Sequence, residues 1–240
     1  MLKRTSYLAF GAAVSLLSTS AIAGSITGKL TFVGTPPTPE EFAITKNPEV
    51  CGTGKRAVEW IRVRNGNLAQ AVVFIDKIKG DKAWTKDAVA AKSNQKGCAF
   101  LPFMAVVKNG TEIEVLNSDP VLHNIHTYEI IGRAKRTMFN VSQPDKGFVF
   151  KEKVKARRGH WMKLECDAHN FMHGWRFLAR TPYYAVTGDD GTFTITDIPA
   201  GTYKLTAWHP VLGKKTITIT VADGAAATAD GAAPSPVSAA

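Results

Sequence analysis

Leu164-Glu-Cys-Asp-Ala-His-Asn-Phe-Met172, followed by His173-Gly-Trp175, decides how this chain is read. A thiol, an imidazole three positions on and a thioether three beyond that are soft and borderline donors gathered in one loop. Such a set selects copper over magnesium or calcium. Residues 161–166 and 175–179 read as strands on either side of the loop. A Cys at the end of one strand and a His in the loop after it can reach one metal. They supply only two strong ligands, and a trigonal copper site needs a second imidazole from elsewhere.

That imidazole is available upstream, in Asn117-Ser-Asp-Pro-Val-Leu-His-Asn-Ile-His126. His123 and His126 are three apart, so in a regular strand they point to opposite faces. One of them reaches the metal unless the backbone bulges. Zinc is the competing ion, since Cys and His ligate it too. Zinc does not need the thioether, and no Cys-x-x-Cys occurs. A free thiol among hydrogen-bonded histidines is the remaining alternative.

The loop Cys166-Asp-Ala-His-Asn-Phe-Met172 resembles the Cys-x-x-His-x-x-Met ligand loop of amicyanin-type cupredoxins, and Leu122-His-Asn-Ile-His126 is similar to their upstream His-Asn-x-His segment. Plastocyanin and pseudoazurin share the architecture but place the Met further from the His. The resemblance spans residues 101–180. It implies an all-β fold, a Greek-key sandwich holding one type 1 blue copper ion. It implies His123, Cys166 and His169 as strong ligands and Met172 as a weak axial one, with Asn124 tethering the ligand loops. It also implies that His169 lies at the surface as an electron port, with Phe171, Leu122 and Met172 forming an apolar docking patch. The implied function is one-electron transfer between exported redox proteins. A c-type cytochrome or a dehydrogenase would be a suitable partner. No Cys-x-x-Cys-His occurs, so the chain carries no c-type haem of its own. Nor is there an acid/base or nucleophile constellation to make it an enzyme. The other readings are a periplasmic copper carrier or sensor, with exchangeable copper, and a structural surface β module with a vestigial site.

The chain also resembles exported proteins, often labelled methylamine-utilisation or plastocyanin-like, that join such a copper loop to a transthyretin-like or carboxypeptidase-regulatory-like β segment. Here that segment is residues 185–205, from Ala185-Val-Thr-Gly-Asp-Asp-Gly to Thr-Tyr-Lys-Leu205. Residues 26–32 can complete it, which would make the copper part an insertion. Two departures stand out. The stretch before Cys166 is much longer than in a small cupredoxin, and Pro102-Phe103 replaces an expected Pro-His, removing one extra ligand.

The rest of the 240 residues fits this frame. Lys3 and Arg4, an apolar run over 7–17 and Ala21-Ile-Ala23 read as a secretory signal peptide over 1–23, with an uncleaved anchor as the alternative. No later run is apolar enough to span a membrane, so stable insertion is not expected. The domain reading is 24–180 for the copper part with an N-terminal extension, 181–222 for the β segment and 223–240 for a disordered tail of small residues. The formal charge is +10. Export and the lack of any nucleic-acid motif argue against nucleic acid, leaving an acidic protein partner, an anionic cell surface or a solvated face.

Short strands with frequent turns cover most of the chain, including 71–75, 104–107 and 111–116, with Asn109-Gly110 as a hairpin turn. Only 81–92 resembles a helix. Three cysteines are present. Cys51 and Cys98 sit in polar, turn-like contexts and are expected to pair, closing a loop worth about 4 kcal/mol by chain entropy. Of the remaining histidines, His160 and His173 read as surface residues and His209 as a packing or hydrogen-bonding one. Trp175 and Trp208 read as core.

Overall fold

The computed structural model describes residues 22–232. All but the last two positions of the expected signal peptide lie outside them. Two β-sandwiches share the chain. The first is built from the middle of the sequence. One of its sheets runs Ala134–Gln143, His123–Ile131, Trp161–Glu165, His173–Ala179 and Met104–Lys108, with the last pair parallel. The facing sheet runs Val149–Lys153, Glu112–Asn117, Ala91–Gln95 and Phe100–Leu101. Their inner faces enclose Val107, Ile113, Val115, Ile125, Met162, Leu164 and Leu178. Burial alternates along Glu112–Asn117 and Trp161–Glu165, so one face of each is buried and register is set by that pattern.

The second sandwich is assembled from both ends. Gly24–Thr31 pairs antiparallel with Thr192–Ile198, and the short strands Asn67–Leu68 and Val63–Arg64 continue that sheet. Its companion runs Tyr184–Val186, Val72–Ile75, Gly201–His209 and Gly213–Val221. The first sandwich is thus inserted between Val72–Ile75 and Tyr184–Val186. Residues 24–31 and 63–75 belong to the outer sandwich, so 24–180 does not form one unit. Residues 223–232 are not a featureless tail either. Ala226–Thr228 and Gly231–Ala232 lie parallel against Gly24–Thr31. Small residues suit this position, because Gly28 leaves no room for a Cβ beside the Ala229 carbonyl and the Phe193 ring.

The two sandwiches meet on aromatic surface. Trp175, Phe177 and Trp208 are buried with Val72, Phe74, Met104 and Val106, and the Trp161 and Trp208 rings stack at 3.3 Å. The strand His173–Ala179 is therefore buried on both faces, which explains its lack of alternation. His160 is half-buried at this seam against Phe74 and Phe177 rather than on the surface. His209 is buried and its Nδ1 accepts from Val211 and Leu212 N–H groups.

Two further expectations are corrected. Asn109-Gly110 does not close a hairpin, since Met104–Lys108 and Glu112–Asn117 lie in different sheets and the turn crosses the sandwich. The helix over 81–92 shrinks to Lys86–Val89, capped by Thr85, and is followed by the strand Ala91–Gln95. That strand hides in the sequence because its inward residues, Ser93 and Gln95, are polar. Both are buried with partners: Ser93 Oγ accepts from Arg176, and Gln95 Nε2 donates to Gln143 Oε1 at 2.6 Å.

Glu129, buried in the strand His123–Ile131, anchors the end of the sandwich opposite the ligand loops. Its Oε1 accepts the N–H groups of Arg157, Arg158 and Gly159 at 2.8, 2.8 and 2.9 Å, and its Oε2 pairs with Arg136. Burial opposes the charge, but these donors outweigh it and hold the carboxyl at about 2. A carboxylate held this low stabilises the fold fully above its ordinary value, and the contribution fades as the pH falls through about 2. Glu129→Gln should therefore cost about 3 kcal/mol at neutral pH, with the gap to wild type closing in strong acid. Urea unfolding at pH 7 and pH 2.5 checks this, and an undiminished gap in acid would exclude the charge as its source.

Candidate metal centre

His123 opens a strand and Cys166 follows one, and the register of those two strands brings them together. His126 pairs with Glu165 in antiparallel register, so both ligand segments leave the sheet at the same end. After Cys166 the chain makes two successive four-residue turns, His169 N–H to Cys166 C=O at 3.2 Å and Met172 N–H to His169 C=O at 3.0 Å. Residues 166, 169 and 172 recur at this spacing. The ligand atoms of His123, Cys166 and His169 all lie within 4.8 Å of one another. The two Nδ1 atoms are 3.1 Å apart, and Cys166 Sγ is 3.6 Å from His169 Nδ1. Met172 is buried in the core cluster that holds Cys166 and Phe171. His126 lies on the opposite strand face, stacked on Tyr128 and hydrogen-bonded to Asp167, outside the cluster.

Asn124 ties the two loops together. Its Oδ1 accepts Asp167 N–H at 2.6 Å and Ala168 N–H at 3.3 Å, its Nδ2 donates to Asp167 and Asn140, and its own N–H points at Cys166 Sγ at 3.5 Å. Each histidine is held by its far nitrogen. His123 Nε2 lies 2.9 Å from Asp119 Oδ2, and His169 Nε2 lies 3.0 Å from Asn47 Oδ1. Both partners are acceptors, so both Nε2 atoms carry the proton and both Nδ1 lone pairs face the cluster. Burial pushes the Cys166 thiol up, while burial, His123 and Lys46 push the His169 ring down to about 4. A neutral imidazole is a competent metal ligand, and a cation at the site would remove the thiol proton.

Asn47 and Asp119 are legible in the sequence only as turn residues, each one step before a proline. Asn47 belongs to a cover that the sequence leaves as an extension. Glu40–Ala43 and Lys55–Val58 form a two-stranded ribbon, and between them Asn47, in the left-handed conformation, leads into the single turn Pro48–Cys51. The Cys51–Cys98 disulfide is present and pins this turn to the sandwich. Arg56 clamps the joint, donating to the carbonyls of Cys51, Gly97 and Cys98 and lying 5.0 Å over the Phe171 ring.

The cover corrects the expected electron port. His169 is only 1% exposed, Phe171 and Met172 are buried, and of the expected patch only Leu122, at 46%, faces solvent. His173 is likewise no solvated neighbour. It packs against Trp60 at 4.5 Å and Phe42 at 5.9 Å, with both ring nitrogens buried.

Comparison with known proteins gives partial likenesses. The family model described as polysaccharide lyase family 4, domain II, matches residues 173–229, most of them in the outer sandwich. That match, and not a carboxypeptidase-regulatory one, falls on the expected β segment. No curated protein matches the chain. A purple cupredoxin from Nitrosopumilus maritimus is 18% identical with a TM-score of 0.32, covering 37% of this chain and 99% of its own. Amicyanin from Paracoccus versutus is 15% identical at 0.30, covering 44% and 96%. A Cu-containing nitrite reductase from Thermus scotoductus SA-01 is 14% identical at 0.32, covering 44% of this chain but only 26% of that enzyme. At these values the likeness assigns no chemistry, and the functional reading rests on the residues themselves.

If the disulfide holds the cover down, its removal should uncover His169. In copper-free protein carrying Cys51→Ala and Cys98→Ala, diethyl pyrocarbonate should modify His169 much faster than in wild type, as read by peptide mass mapping. Near-UV circular dichroism controls for an intact sandwich. Equal rates in folded protein would show that the cover stays shut without the bridge.

Proposed function

We propose that this chain is an exported type 1 copper protein that passes single electrons between redox proteins. The supporting observation is the donor set: one thiol and two imidazole nitrogens within 4.8 Å, all buried, with a buried thioether from the same loop. Hard ions such as magnesium or calcium take oxygen ligands, so this set does not suit them. Zinc would use the thiol and imidazoles but leave Met172 without a role. Copper bound here would supply reversible one-electron chemistry between Cu(I) and Cu(II).

What the protein contributes is restraint. Asn124 fixes the spacing of the ligand loops, Asp119 and Asn47 fix the ring orientations, and the core around Phe171 and Met172 leaves the donors little room to rearrange. Burial under the cover favours retention of the ion over exchange, which sets electron transfer above copper carriage. Asn47, half-buried and bonded to His169, connects one of the donors to the surface, with exposed Lys46 beside it. An acidic face on an exported redox protein, such as a c-type cytochrome or a dehydrogenase, would complement this basic chain. The disulfide suits an oxidising, extracytoplasmic compartment, and no helix among the described residues is long and apolar enough to cross a membrane.

Adding copper to the purified protein should produce an intense visible absorption band that a reductant bleaches reversibly. Cys166→Ser should abolish the band while far-UV circular dichroism stays unchanged. A wild-type protein that remains colourless, or a variant that keeps the band, would overturn the type 1 assignment.

A further inference from the structure

The two histidines of the cluster are held by chemically different partners. His169 leans on a neutral amide, Asn47, whereas His123 leans on a carboxylate, Asp119. Asp119 is 5% exposed. Its Oδ1 accepts Gly97 N–H at 2.8 Å, and its Oδ2 accepts both Cys98 N–H at 2.8 Å and the His123 ring at 2.9 Å. Its own N–H donates to Asn117 Oδ1, and Asn117 Nδ2 in turn donates to the carbonyls of Val121 and Gln143. The carboxylate is thus locked on every side. Among the described residues no lysine or arginine pairs with it, and His123 is its one side-chain partner.

A buried carboxylate without a cationic side chain keeps its charge only where donors face it, and here two backbone N–H groups and the His123 ring do so. Of these donors it is the His123 ring whose other nitrogen faces Cys166 and His169. Resting on the copper reading above, we propose that Asp119 is a positioning residue of the centre that also sets its charge balance. It keeps the Nε2 proton on His123, so that Nδ1 stays inward, and its negative charge favours the more highly charged Cu(II) over Cu(I). Because one oxygen serves both Cys98 N–H and His123, the turn that carries the disulfide and the ring that faces the metal are set by the same group.

Asp119→Asn tests this, because it keeps the shape and one acceptor oxygen while removing the charge. The preference of the bound ion for Cu(I) over Cu(II) should rise at least about tenfold. That corresponds to a reduction potential higher by about 59 mV or more for one electron. The visible band should persist, and Glu41→Gln, a charge-removing change on the exposed cover, should give a much smaller shift. A potential unchanged in Asp119→Asn, with the band present in wild type and variant, would overturn the inference while leaving the copper reading standing. A colourless wild type would instead defeat the copper reading itself. The amide leaves one donor facing another, so the variant can fail to fold. A second measurement therefore uses the unaltered Cu(I) protein. Proton NMR should show a slowly exchanging, far-downfield His123 Nε2–H, and its absence or rapid exchange would also overturn the proposal.

Discussion

The antiparallel pairing of His123–Ile131 with Trp161–Glu165 is the constraint on which the site depends. A shift of one residue would send every side chain of the strand to the other face. His123 would then leave the cluster, and His126 would lose the polar network of Asn140, Tyr128 and Asp167 that now solvates it. Register is enforced at both ends of the strand. At one end Ile125 is buried in the core and Asn124 locks the loop that follows Cys166. At the other, Glu129 gathers three backbone N–H groups from the turn leading into Trp161–Glu165. A mispaired strand would leave these donors and this carboxylate unsatisfied in the interior, which is costly.

Insertion of one sandwich into the other has a mechanical consequence. The inner sandwich enters and leaves the outer one through Val72–Ile75 and Tyr184–Val186, which are paired neighbours in a single sheet. Its ends are therefore fixed by backbone hydrogen bonds. The stacked tryptophans at the seam then bury the outer face of the ligand sheet. Arg176 illustrates how closed this region is. It is fully buried, its charge is spread over the carbonyls of Pro102 and Trp175 and the Ser93 hydroxyl, and burial alone lowers it to about 10. The ligand loops sit at the end of the sandwich that the chain has left free, and there the cover closes over them.

The cover closes off the surface imidazole edge that the resemblance to cupredoxins implies. An imidazole edge at the surface would let a partner touch the ligand directly. Here the edge of His169 is satisfied by Asn47, whose left-handed backbone an asparagine tolerates better than most residues. The disulfide, Arg56 and the shared oxygen of Asp119 bind this turn into the ligand framework. One contiguous set of hydrogen bonds thus links the cover, the disulfide turn and both histidines.

The sequence by itself determined the class of fold and the loop that carries the thiol, one imidazole and the thioether. Cys166, His169 and Met172 are close in the chain, so their spacing alone puts them in one loop, and period-two alternation marks the strands on either side. The pairing of Cys51 with Cys98 was legible from cysteine count and compartment. What stayed hidden were relations between distant segments. Ser93 and Gln95 face inward yet are polar, so Ala91–Gln95 reads as anything but a buried strand until Arg176 and Gln143 are placed opposite. Residues 223–232 look too poor in apolar side chains to fold, but parallel pairing with Gly24–Thr31 needs backbone groups and small side chains rather than a core. Asn47 and Asp119 are ordinary turn residues locally, and only the tertiary structure turned them toward His169 and His123. Local spacing fixes which atoms can bind a metal. Which nitrogens face inward, and how far solvent is kept away, follow from hydrogen bonds and burial that exist only after the chain has closed on itself.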